Sequence, residues 1–249
     1  MPKRLRRGLA VVLLLFAVAI VALAVHSPYY VQLALLPFAD IAALGDRTWT
    51  VPSSPEAART ILARDVAAAR ARVGELFGTR ISCPPVIAGE GPETLERFAG
   101  TRGRTGVSRL TPFGSWIVVT SRGANVDVLA HEMTHVELAA RLGAMRFERA
   151  VPTWFSEGLA MQVDHRSEYS LEAYEELKRK GVGPRPLRSM QDQAGFVAGG
   201  GDNARMAYIE SKIEVGRWYV QAGRKGLLAL IACRRARAEF QACYGVTVP

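Results

Sequence analysis

His131-Glu132-Met133-Thr134-His135 places two imidazoles four residues apart with a carboxylate between them. On an α-helix, residues i and i+4 share a face, so both rings can reach one metal ion while Glu132 points alongside it. Helical spacing extends around the motif from 126 to 142. At about 100° per residue, Leu129, Met133, Val136 and Ala140 form one apolar stripe. Asp127, Thr134, Glu137 and Arg141 form another, which reads as the solvent side. His131 and His135 lie off that stripe, beside Val128, Leu138 and Leu142, and Glu132 is turned away from it as well. Burying such groups unpaired costs several kcal/mol, and a shared cation removes most of that cost. The plainer alternative is a pair of core histidines bonded to backbone, with Glu132 in a salt bridge.

A second acidic residue stands in a similar setting, in Val151-Pro152-Thr153-Trp154-Phe155-Ser156-Glu157-Gly158-Leu159-Ala160. Pro152 suits the first turn of a helix, which puts Glu157 one turn inside it among Trp154, Phe155 and Leu159. An acid among apolar neighbours needs a partner, and a hydrolytic zinc site with two histidines needs a third ligand. H-E-x-x-H followed some twenty residues later by W-x-x-E-G-x-A resembles the gluzincin metallopeptidases, in particular their short M1-like or minigluzincin-type domains. The resemblance spans roughly residues 55 to 245, with motif-level identity confined to 131–135 and 152–160. It implies Zn2+ held by His131, His135 and Glu157, with Glu132 as general base. It further implies a tyrosine that hydrogen-bonds the tetrahedral intermediate, for which Tyr208 is the candidate. A tyrosine packed at an interhelix seam is the alternative there, and Tyr219 and Tyr244 are nearby.

Other zinc-peptidase patterns do not fit. A metzincin requires glycine at 138 and histidine at 141, where this chain has Leu138 and Arg141. Of the remaining histidines, His26 follows the hydrophobic leader and His165 reads as the solvated end of the Glu157 helix, interacting with its dipole. Met161 stands where some larger gluzincins carry an aspartate bonded to a zinc histidine. The group that orients the imidazoles must therefore come from elsewhere in the chain.

The 249 residues carry a formal net charge of +9, four charges of which come from Lys3, Arg4, Arg6 and Arg7. The other arginines are scattered without interleaved aromatics, which argues against nucleic-acid binding. That basic start precedes an uncharged apolar run from Gly8 to Val25, the pattern of an export element whose positive end stays cytoplasmic. Residues 1–27 read as a signal anchor or a signal peptide, with a retained anchor favoured, because the run approaches the length that spans a bilayer. Ala22-Leu23-Ala24 offers a cleavage site. Residues 28–51 read as an apolar connecting segment, of which 28–45 cling to the membrane surface or pack on the domain, and 52–249 as the zincin-like domain. The expected location is membrane-anchored with the domain outside the cytoplasm, or secreted if the leader is removed. Cys233 and Cys243 suit a disulfide closing a helical hairpin, and Cys83 reads as a buried thiol.

Ser54 is a candidate N-cap, with Pro55 opening a helix to Leu76. Strand-like runs follow at 86–88, 106–110 and 115–120, then helices at 126–142, 153–164, 167–180, 203–222 and 226–243. Within the helix from 203, Met206, Ile209, Ile213 and Val220 form the expected core stripe. A small N-terminal sheet followed by a mainly helical C-terminal half implies an α+β fold, and the resemblance implies its zincin-like form, with 115–120 as the edge strand that a peptide substrate joins. The function expected is zinc-dependent hydrolysis of peptides or proteins outside the cytoplasm. The alternative is a catalytically silent zincin-fold protein that binds peptide or scaffolds a membrane complex.

Overall fold

Val86-Ile87-Ala88 and Ile117-Val118-Val119 are all buried, although side chains alternate sides along a strand. Both faces of their sheet must therefore be covered, and they are. In the computed structural model, which describes residues 25–111, 114–144 and 146–246 together with Val18, Val21 and Ala22, five strands form one sheet in the order β1-β2-β3-β5-β4. These are β1 (Ala42–Gly45), β2 (Thr48–Thr50), β3 (Val86–Gly89), β4 (Gly106–Thr111) and β5 (Gly114–Thr120). β2, β3 and β5 run parallel, and the two outer strands pair antiparallel. Val86, Ala88, Ile117 and Val119 face the larger core with the helices Glu56–Phe77 and Val126–Leu142. Ile87, Val107 and Val118 face a smaller core closed by Leu95, Phe98 and Leu36. The architecture is α+β, with the sheet between helical layers.

The topology corrects several expectations. β5 is interior, and the edge beside the motif helix is β4, because residue 117 pairs with 86 on one side and 108 on the other. Residues 42–50, expected to be part of a connector, supply β1 and β2, whereas residues 28–34 form a helix packed on the helix Pro92–Ala99, in line with one of the two expected alternatives. The helix expected to have Ser54 as N-cap begins one residue later, at Glu56 with Pro55 in the cap position, and the Ser54 hydroxyl pairs with that of Thr50. Cys83, expected to be a buried thiol, is exposed, and the next residue, Pro84, is buried instead. Of the stripe expected on the helix from 203, Met206 and Ile209 are buried and Ile213 packs against them, but Val220 is solvent-facing, and a second buried row runs through Ala207, Ser211, Val215 and Trp218. Among the described residues, no helix is long and apolar enough to cross a membrane. The leader expectation for residues 1–27 lies mostly outside the described residues.

Cys233 and Cys243 are joined with their Cα atoms 5.7 Å apart. The bridge closes the chain's last helical turn-around and seats Phe240 and Tyr244 against Trp154 and Phe155, with ring centroids 5.2–5.9 Å apart. The short helix Thr153–Ala160, which carries Glu157, is thus wedged between this aromatic cluster and the helical stretch Gly201–Arg235, which is broken at Gly223 (φ 61°), between the helices expected at 203–222 and 226–243. At Gly158 the two helices touch backbone to side: an added Cβ would meet the Ser211 carbonyl oxygen at 2.3 Å and Val215 Cγ2 at 2.6 Å. Gly158→Ala gains about 1 kcal/mol of helix propensity, yet overpacking against a backbone that cannot step aside costs about 1–3 kcal/mol. The net effect expected is destabilisation, read as a lower thermal midpoint of the metal-free chain. An unchanged or raised midpoint would mean that the helices are not held this close.

Candidate metal centre

Asn125 starts the motif helix as its sequence suggests, its side-chain oxygen accepting from the amides of Asp127 and Val128 at 3.1 Å. The helix then runs from Val126 to Leu142 through the middle of the molecule. Of its expected solvent stripe, Asp127 and Arg141 are half-buried and the middle is not exposed. Thr134 and Glu137 are fully buried. Thr134 bonds back to the Ala130 carbonyl, while Glu137 accepts from the Ile81 and Ser82 amides, the Ser82 hydroxyl and Arg141. Hydrogen-bonded in this way, a carboxylate tolerates the interior. It also ties the motif helix to the segment leading into β3.

A neighbouring face carries the motif. His131 Nε2 and His135 Nε2 lie 3.2 Å apart, and Glu157 Oε2 lies 3.2 Å from the first and 3.4 Å from the second. All three side chains are buried. Ligands about 2.0–2.2 Å from a tetrahedral metal sit roughly 3.3 Å from one another, so this nearly equilateral triangle has the dimensions of three ligands on one ion. Glu157 Oε2 is buried and has no hydrogen-bond partner among the described residues. Buried polar atoms are rarely left so, and a cation between the three groups removes the deficit. His131, His135 and Glu157 fit a divalent transition metal.

Asp164, fully buried, supplies the orienting group missing from the sequence reading: its Oδ2 lies 3.4 Å from His131 Nδ1. That separation is an ion-pair contact, longer than a hydrogen bond. Arg166 holds the same carboxylate with three contacts of 2.5–3.1 Å. Burial pushes the Asp164 carboxyl up, but His131 and Arg166 outweigh it and hold it well below the usual range. Burial likewise pushes Glu157 up, and His135 and His131 pull it far down, so both acids stay ionised. For His131, burial acts downward, while Asp164 and Glu157 raise the metal-free imidazole to about 10. Asp164 escaped notice because the helix carrying Glu157 ends at Ala160, short of the expected 164, and the chain folds back. The available signal was an acid two residues before an arginine, just past the ligand helix. Asp164→Asn is expected to weaken metal binding about 10- to 100-fold, measured by competition with a chromogenic chelator. Unchanged affinity would remove Asp164 from the site.

The triad opens into a cleft of about 730 Å³ that is also lined by Glu132, Tyr208, β4 residues 107–111, Arg104 and Arg149. Glu132 is half-buried there, one residue from His131. The Tyr208 ring lies 6.2 Å from that of His131, packed on Phe196 and Tyr169. The Glu157 carboxylate and burial hold its phenol well above the ordinary range, so the hydroxyl remains a donor. His165 is exposed and outside the triad. No family model, curated protein or solved structure matches this chain.

Proposed function

We propose that this protein is a zinc-dependent peptidase of the gluzincin type, with a zincin-like fold, acting outside the cytoplasm. The observation that carries the reading is the His131–His135–Glu157 triangle, with sides of 3.2–3.4 Å, buried beside an unused Glu132 in an open cleft. His131, His135 and Glu157 would hold the metal. Zinc so held supplies Lewis acidity and a hydroxide nucleophile near neutral pH. Glu132 takes the proton from the attacking water and returns it to the leaving amine. The Tyr208 hydroxyl, kept protonated, donates to the oxyanion as charge develops. Asp164 fixes the His131 ring. An extended peptide would add to the free edge of β4, whose residues line the cleft, and so lie across the triad.

The test is incubation of the zinc-loaded full-length chain with a peptide library, products being read by mass spectrometry. Cleavage that a chelator abolishes and zinc restores is expected. An intact library with zinc bound at the triad would overturn the peptidase reading in favour of peptide binding alone.

A further inference from the structure

The helix Pro28–Ala34 and the 3-10 turn Leu36–Phe38 carry two apolar faces. One is spent on the domain. Leu36 is buried with Leu95 and Phe98, Leu33 packs on that cluster, and Tyr29 lies so close to Gly100 that an added Cβ there would stand 2.6 Å from its ring. The other face is Val31, Leu35 and Phe38, at i, i+4 and i+7, exposed by 38%, 48% and 85%. Three apolar residues aligned in solvent at helical spacing mark an interaction face, whereas singly scattered ones would not.

We propose that this face docks on a lipid bilayer and turns the mouth of the metal cleft towards the membrane surface. What covers the face is argued from what precedes it. Val18, Val21 and Val25 are exposed as well, and they belong to the uncharged 18-residue run Gly8–Val25. Val31 lies six positions after Val25, a reach of at most about 21 Å, so whatever covers the stripe must also accommodate that run at its border. A bilayer does both, as it does for amphipathic helices lying in its interface. Arg97, from the helix Pro92–Ala99, donates through Nε to Gln32 at 3.1 Å and is exposed beside the helix Pro28–Ala34, where a headgroup phosphate would meet it. Tyr29 and Tyr30 line the cleft from this helix. Docking therefore sets one end of the cleft at headgroup level. The substrate class that follows, which rests on the peptidase reading, is a polypeptide segment leaving the membrane.

The docking step is tested on the full-length chain in nanodiscs holding one chain each, so that a second copy cannot cover the face. Phe38→Cys in a Cys83→Ser background carries an environment-sensitive fluorophore, and Val220→Cys, exposed on a helix that packs on the helices Glu56–Phe77, Val126–Leu142 and Thr153–Ala160, serves as control. Quencher attached to lipid is expected to remove about half or more of the emission at 38 and less than about a tenth at 220. Equal quenching at the two positions, or none at 38, would overturn the proposal. For the substrate step, Leu35→Asp with Phe38→Asp is expected to slow cleavage of a vesicle-tethered peptide on the order of tenfold, leaving the same peptide in free solution unaffected. Equal rates on both forms would overturn the substrate class. Failure to cleave the free peptide at all counts against the peptidase reading and leaves the fluorescence result standing.

Discussion

Glu132→Gln is expected to bind zinc as the unaltered chain does and to lose about 10²- to 10⁴-fold in kcat, the range that a positioned general base supplies. The substitution keeps the shape and removes only the ability to take a proton. Glu132 is well suited to reveal this. It is half-buried on the wall of the cleft and lies outside the His131–His135–Glu157 triangle, so no ligand is lost with it. The two readouts, metal content and peptide turnover, should therefore separate. Activity within a few-fold of the unaltered chain would remove Glu132 from the chemistry.

Glu157→Ala is expected to do the opposite and abolish stoichiometric zinc. It removes the only carboxylate of the three and leaves two imidazole nitrogens 3.2 Å apart as the remaining donors. Losing a ligand should exceed the 10- to 100-fold cost of losing an orienting partner, so equilibrium dialysis at micromolar zinc should find the site empty. The fold should persist, because Trp154 and Phe155 keep the helix seated on the aromatic cluster formed by Phe240 and Tyr244. About one zinc per chain retained in this variant would show that Glu157 is not a ligand.

How far the sequence could be read follows from the range of the interactions involved. His131 and His135 share a face because of helical periodicity alone, and Asn125 caps their helix through amides two and three residues on. Glu157 was legible because an acid among Trp154, Phe155 and Leu159 has few other uses. Asp164 was not, since its partner lies 33 positions earlier, across a turn that follows the end of the ligand helix. The edge strand was misplaced for the same reason. Nothing local in residues 115–120 says that residue 86 will pair on their free side. Thr134 and Glu137 looked solvated because polar residues at helical spacing usually are. Only the tertiary fold brings the Ile81 and Ser82 amides to Glu137. Tyr208 reaches the cleft through its packing on Phe196 and Tyr169, contacts its own helix pattern does not reveal.

The site itself is tested most directly by anomalous scattering at the zinc edge from crystals of the zinc-soaked protein. One peak is expected per chain, within about 2.0–2.2 Å of His131 Nε2, His135 Nε2 and a Glu157 oxygen. No peak between these three side chains, or a peak that takes His165 in place of Glu157, would contradict the account.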